Sequence, residues 1–221
     1  MTRFLFCKEG TAVWISHLDL QRMFQRAFNR AKIQIAVTNG FNPHAYVAMA
    51  LPLSVGMESQ CEILDCRLAD ESISPEEAAE RLNRAGFPEG ITILKGYSSD
   101  RKLREIGSLC ARLMMEYDNG VPEGAEERIR ELFLREEITA SKHSKKKGQI
   151  EINIRPMILD VQVAQKNTCQ IEMTATVQAG EPSLNPELLV QAVTRYLPED
   201  RPDAVKIRRL EVFDQEGNAF R

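Results

Sequence analysis

The sequence predicts an α+β fold made of two tandem ferredoxin-like halves, each a split βαβ unit with an antiparallel sheet. Three observations lead there. Short stretches alternate apolar and polar residues at the two-residue period of a strand, as in Phe4/Phe6 and Leu113/Met115/Tyr117. Amphipathic segments with apolar residues at i, i+3, i+4 and i+7 follow such stretches. The order strand, helix, several strands, helix, strand then occurs twice, which is the split βαβ order with an added hairpin. The expected halves are residues 1–100 and 108–221, joined near Ser98–Ser108. No residue-level repeat accompanies the order, so the duplication is one of architecture. A helix linking two strands of one sheet covers one face and is expected to leave the other for a partner.

Taken in order, Arg3 to Cys7 is a strand with Phe4 and Phe6 on one face. Ser16 opens a helix whose apolar face is Leu20, Met23, Phe24, Ala27, Phe28 and Ala31. Ile33 to Val37 is a β-branched run. The turn Asn39-Gly40-Phe41-Asn42-Pro43 follows, then an apolar run from Tyr46 to Leu51 and a strand from Cys61 to Leu68. Ser74-Pro75-Glu76-Glu77 supplies an N-cap, a proline at the first helical position and a capping-box acid, and Gly86 is a helix stop. Ile91 to Leu94 closes the first half. In the second, Leu113 to Tyr117 is a strand, and Ala125, Ile129, Leu132 and Phe133 mark a helix. Ile138 to Ala140 is short and extended. Strands then carry Ile150, Ile152 and Ile154, next Leu159, Val161 and Val163, and next Ile171, Met173 and Val177. Asn185-Pro186-Glu187 opens the last helix and Val205 to Phe213 is the last strand.

The 221 residues are 43% hydrophobic, enough for one large or two small cores. No apolar run approaches the roughly 20 residues that span a bilayer, and the start MTRFLFCKEG does not read as a signal peptide. The expected location is therefore the cytoplasm, with no membrane partner. Cys7, Cys61, Cys66, Cys110 and Cys169 are odd in number and contain no CxxC pair, which argues against a disulfide framework or a cysteine metal site and for reduced, mostly buried thiols. A CxxxCxxC triplet for an iron–sulfur cluster is missing, as are a P-loop, GxGxxG and HExxH. With three histidines in the chain, no metal and no cofactor is expected. Net charge is −3 overall but uneven: residues 1–50 carry +4, residues 51–137 carry −8 and residues 138–221 carry +1. A basic head of this kind suits an anionic partner.

The segment from Trp14 to Leu51 holds the candidate site residues. Ser16 and Asp19 fit a capping box, with His17 as the first helical residue; they read first as a plain helix start, and in the sharper reading as an anion-friendly N-terminus. Arg22, Arg26 and Arg30 recur at four-residue spacing as one stripe, with Asp19 the single acid on that helix to meet them. The stripe is either a solvated face or a surface for phosphate or an acidic partner. The loop Asn39, Gly40, Phe41, Asn42, Pro43 and His44 serves as a hairpin turn, or gathers amides, an aromatic ring and an imidazole suited to a base. The run Lys142-His143-Ser144-Lys145-Lys146-Lys147-Gly148 is a solvated loop or a basic finger, with Lys145, Lys146 and Lys147 as phosphate contacts.

SHLDL followed by the arginine-bearing helix, then GFNPH, then Ala50-Leu51-Pro52-Leu53 with Gly56 and Glu58-Ser59, resembles the radical-SAM-linked protein family. The resemblance is strongest over residues 3–68 and extends to KKKGQIEINIRPMILD at Lys145 to Asp160. Ala45 departs from it, since the family commonly has a second proline there. The resemblance implies a bacterial domain of unknown reaction that is fused to, or encoded beside, a radical-SAM protein. It supplies a partner and a context, and no mechanism.

Two functions from different classes follow. One is a non-catalytic accessory domain that recognises RNA, or another phosphate-bearing substrate, for a radical-SAM partner. The other is an enzyme: the tandem order with a histidine on the first helix is similar to CRISPR repeat-processing endoribonucleases, with His17 and His44 as the catalytic candidates. Residues 180–221 contain only Gly180 and Gly217, so the glycine-rich loop of those enzymes is absent. A purely protein-binding subunit is the third reading.

Overall fold

The computed structural model describes residues 1–37, 45–144 and 148–221. Among the described residues the chain is mixed α+β, with four α-helices and sheets whose described pairings are antiparallel. It divides into two compact units, Met1–Leu103 with Arg221, and Arg104–Phe220.

In the first unit the chain runs β1 (Thr2–Lys8), α1 (His17–Arg30), β2 (Val47–Met49), β3 (Glu58–Cys66), α2 (Pro75–Ala85) and β4 (Ile91–Ser98). The strands lie in the order β4-β1-β3-β2. The register pairs Phe4 with Leu64 and Gly96. Phe4 and Phe6 therefore project to the helical side, where Phe6 meets Phe24 edge-on at 4.9 Å between ring centres and Phe24 meets Phe87 at 5.3 Å. Leu20, Ala27, Leu64 and Leu82 complete this core. A Cβ on Gly96 would fall 2.0 Å from the Pro75 carbonyl oxygen, so a glycine there lets α2 lie directly on β4.

The second unit runs β5 (Ile106–Glu116), α3 (Ala125–Leu134), the hairpin β6 (Thr139–Ser144) and β7 (Gly148–Asn153), then β8 (Ile158–Asn167), β9 (Gln170–Gln178), α4 (Glu187–Tyr196) and β10 (Ala204–Asp214). Its sheet order is β10-β5-β9-β8. In both units the last strand lies beside the first, the first beside the third main strand, and that beside the second. Leu113, Met115, Ile129, Leu132, Met173 and Val193 are fully buried.

Three expectations change. Arg3 and Lys8 are 0% and 1% exposed. The Arg3 guanidinium makes a two-pronged ion pair with Asp65 at 2.6 and 2.9 Å and donates to the Arg101 carbonyl at 2.7 Å. This pair sits on the side of β1 and β3 away from the helices, so that side is buried rather than left open to a partner. Ile33 to Val37 forms no full strand but two isolated bridges, Ile35 to Leu68 and Val37 to Ala45. Only the ends of the basic run are in strands: Lys142, His143 and Ser144 close β6 and Gly148 opens β7, while Lys145, Lys146 and Lys147 lie outside the described residues. The cysteines are all free and mostly buried, in keeping with their sequence reading: Cys7, Cys61 and Cys66 are buried, Cys110 half-buried and Cys169 exposed.

Candidate functional nucleic-acid interface

Helix α1 begins as its sequence dictates. The Ser16 hydroxyl accepts from the Asp19 amide at 3.2 Å and donates to the Asp19 carboxylate at 2.7 Å. That hydroxyl first, and the Arg22 guanidinium next, hold the Asp19 carboxyl below its ordinary range. His17 is half-buried in the first turn. The helix start is fixed from below by Lys8, whose Nζ donates to the Val13 carbonyl at 3.2 Å; burial lowers the Lys8 pKa against the raising effect of Glu62. The Gly56 amide donates to the same carbonyl at 2.9 Å, and the Gly10 amide donates to Glu58 at 3.3 Å. The turn at Gly10–Trp14, just ahead of SHLDL, and the end of the ALPL-G-ES segment at Gly56 and Glu58 thus meet in space although some 40 residues separate them. Trp14 (72% exposed) and Leu18 (62%) stand open at this end.

The arginine stripe divides. A four-residue step overshoots the 3.6-residue turn, so the stripe drifts by about 40° at each step. Arg22 pairs with Asp19 at 3.1 Å, both exposed. Arg30 turns the other way, donating to the carbonyls of Ala85 (3.2 Å) and Gly86 at the end of α2, where it serves as a helix cap. The stripe is therefore not three free cations. Among the described residues Arg26 feels only the longer-range attraction of Asp19.

Beyond Arg22, the flank of α1 opens on a groove of about 730 Å3 lined by Gln25, Phe28, Asn29, Lys32, Ile33, Gln34, Ile35, Ala45, Val47 and Ala69. That lies within the roughly 300–1,000 Å3 of small-ligand sites. One wall is the exposed helix face with Gln25 and Asn29. The opposite wall is the pair of arms held by the Val37–Ala45 bridge, by Tyr46 N–H donating to the Ala36 carbonyl (2.9 Å), by Ala36 N–H to Arg67 (2.8 Å) and by Ala69 N–H to Gln34 (2.9 Å). Asn39, Phe41, Asn42 and His44 lie outside the described residues, as do Lys145, Lys146 and Lys147. The groove residues were missed by sequence reading. A signal existed, since Gln21, Gln25 and Asn29 repeat at four-residue spacing beside the arginines.

Lys32 departs from the local rule. Helix α1 ends in a Schellman turn, with Ile33 N–H donating to the Phe28 carbonyl at 3.0 Å and Lys32 N–H to Asn29 at 3.1 Å. Its left-handed position, φ 56°, is normally given to glycine, and here a lysine at the groove takes it.

The second unit offers less. The sheet side away from its helices carries Arg112, Met114, Glu116, Glu172 and Lys206, with Lys206 paired to Glu116 at 2.8 Å and Lys166 to Glu172 at 3.3 Å. No aromatic ring stands among those residues. The β6–β7 hairpin is anchored at its root, where Thr139 N–H donates to the Tyr196 hydroxyl at 3.0 Å and Glu151 pairs with Arg195.

Among the described residues no three metal-ligating side chains converge, and no helix is long and apolar enough to cross a membrane. No curated protein matches the chain. Its fold is similar to that of a chain in the crystal structure of a Cbf5-Nop10-Gar1 complex, at TM-score 0.53 and 9% identity over 96% of this chain. This chain spans about half (48%) of that one. A chain of the archaeal box H/ACA sRNP Nop10-Cbf5 complex is more distant, at TM-score 0.45, 8% identity and 94% against 46% coverage. The first likeness supports the α+β architecture and nothing finer. Residues 2–186, spanning the first unit and most of the second, match one bacterial family, and the chain belongs to it: the family described as "Uncharacterized protein conserved in bacteria (DUF2344)".

Proposed function

We propose that this chain is a non-catalytic binding module that holds single-stranded RNA, or another phosphate-bearing substrate, along the flank of α1 for a radical-SAM partner enzyme. The observation that carries the RNA part is the groove beside α1, which joins an apolar floor to carboxamides and a lysine and has Arg22 and Arg26 on the same helix. The radical-SAM partner rests on the sequence resemblance alone. We read the two units as tandem ferredoxin-like halves, from the strand order they share. In this reading His17, Arg22 and Arg26 meet phosphates, Asn39, Asn42 and His44 hydrogen-bond to the substrate, and Phe41 stacks on a base. Arg30 is given to the fold, and Lys145, Lys146 and Lys147 add a sequence-independent contact.

The test is filter binding of single-stranded RNA at about 50 and about 200 mM salt. Wild-type protein should bind with a clear salt dependence. The Arg22→Ala, Arg26→Ala double variant should lose about 1 kcal/mol or more per phosphate contact and show a shallower salt slope. Equal affinity of the double variant and the wild type for RNA and for every partner captured from cells would end this reading.

A further inference from the structure

Resting on the nucleic-acid reading above, we propose that the groove beside α1 receives one unstacked adenine base, with the carboxamides of Gln25 and Asn29 reading its edge and Lys32 holding the adjoining phosphate. The floor is apolar: Phe28 and Ile33 are buried, and Ile35 and Val47 are half-exposed, so a flat ring covers hydrocarbon there that water now meets. Gln25 and Asn29 are exposed and one helical turn apart, about 5–6 Å between Cβ atoms. Each carboxamide presents a donor and an acceptor, the complement of adenine's N6 amine and N7.

Charge narrows the occupant. None of the described residues lining the groove is a carboxylate, whereas three other cavities include Glu187, Glu116 with Asp118, and Glu71. No carboxylate stands in the lining to favour the N4 amine of cytosine or to repel a phosphate. Lys32 supplies the cation, from a backbone position where glycine is the unstrained choice. A side chain kept at such a position, at the edge of a cavity, fits a use for that side chain.

The experiment is fluorescence anisotropy of the full chain with short labelled oligo(A), oligo(C) and oligo(U), with adenosine monophosphate as an unlabelled competitor. Oligo(A) should bind about tenfold more tightly than the pyrimidine oligomers. Asn29→Ala and, separately, Gln25→Ala should flatten that preference while leaving oligo(U) affinity within about twofold, since neither exposed amide contacts phosphate. Lys32→Gly should weaken all three oligomers alike and leave the melting temperature unchanged or higher. Asparagine-dependent competition by the mononucleotide together with oligo(A) preference supports the base site in RNA. Binding of the mononucleotide without any RNA keeps the base site and overturns RNA as its source. Equal binding of the three oligomers, or a preference untouched by both amide variants, overturns the base site and leaves the RNA reading standing. Absence of both RNA and mononucleotide binding overturns the two together.

Discussion

Helices α1 and α3 occupy the same place in their units, each directly after the first strand, and they treat their arginines in opposite ways. On α3, Arg130 is gripped by Glu126 and Glu127 of the same helix and also donates to the Val163 carbonyl at 3.2 Å. Arg128 reaches the fully buried Asp200 carboxylate with two bonds, 2.8 and 2.6 Å. Every arginine within α3 is thus neutralised inside its own unit. On α1, one arginine caps α2, one shares the exposed Asp19, and Arg26 has only the distant field of that same acid. The same helix position is spent on stability in one unit and left electropositive in the other. This difference, more than total charge, is what the proposed binding along α1 rests on.

The largest expected effect falls on the second unit. Asp200→Ala removes a buried acceptor from a guanidinium that keeps about a third of its exposure, and should cost about 2–3 kcal/mol in urea denaturation with no loss of RNA affinity. Arg26→Ala should do the reverse, changing stability by less than about 0.5 kcal/mol while weakening RNA binding. A stability loss at Arg26 equal to that at Asp200 would erase the contrast. Next in size, Ser16→Ala should cost about 1 kcal/mol by removing the cap of α1. The same change should raise the Asp19 pKa toward its ordinary value, read by NMR. The sign follows from the direction of the shift: a depressed carboxyl stabilises the fold fully above its unfolded pKa and loses that contribution as pH falls through the folded one. Ser16→Ala should therefore flatten the loss of stability on the acid side. Lys32→Gly should gain up to about 1 kcal/mol by relieving the left-handed backbone. The smallest effect is chemical. Cys169 should react with a thiol reagent in the native state ahead of Cys110, while Cys66, its thiol pushed up to about 12 by burial, should react only on unfolding.

Local chemistry was legible in the sequence. Ser16 with Asp19, Ser74 with Pro75, and Gly86 all act over a few residues, and each caps a helix where its pattern placed it. The apolar positions of α1 and α3 were readable for the same reason. What could not be read depends on residues far along the chain. Arg3 is buried because Asp65 lies opposite it in the β1–β3 register, 62 residues away, and Arg30 is engaged because α2 ends beside it, 55 residues on. The Ile33–Val37 run looked like a strand because β-branched residues favour one, but only two of its residues find a bridge. The groove was hidden for a further reason. Gln25, Asn29 and Lys32 are ordinary surface residues by type, and their meaning comes from the turn at φ 56° and from the arms that face them.

The central claim, that nucleic acid lies along the flank of α1 rather than on the second unit, is tested most directly by ultraviolet crosslinking of the whole chain to single-stranded RNA, with the crosslinked peptides identified by mass spectrometry. Crosslinks on peptides covering residues 14–37 and 45–49, reduced in the Arg22→Ala, Arg26→Ala variant, are the predicted result. Crosslinks confined to residues 139–153 or to the charged sheet face of the second unit would contradict it.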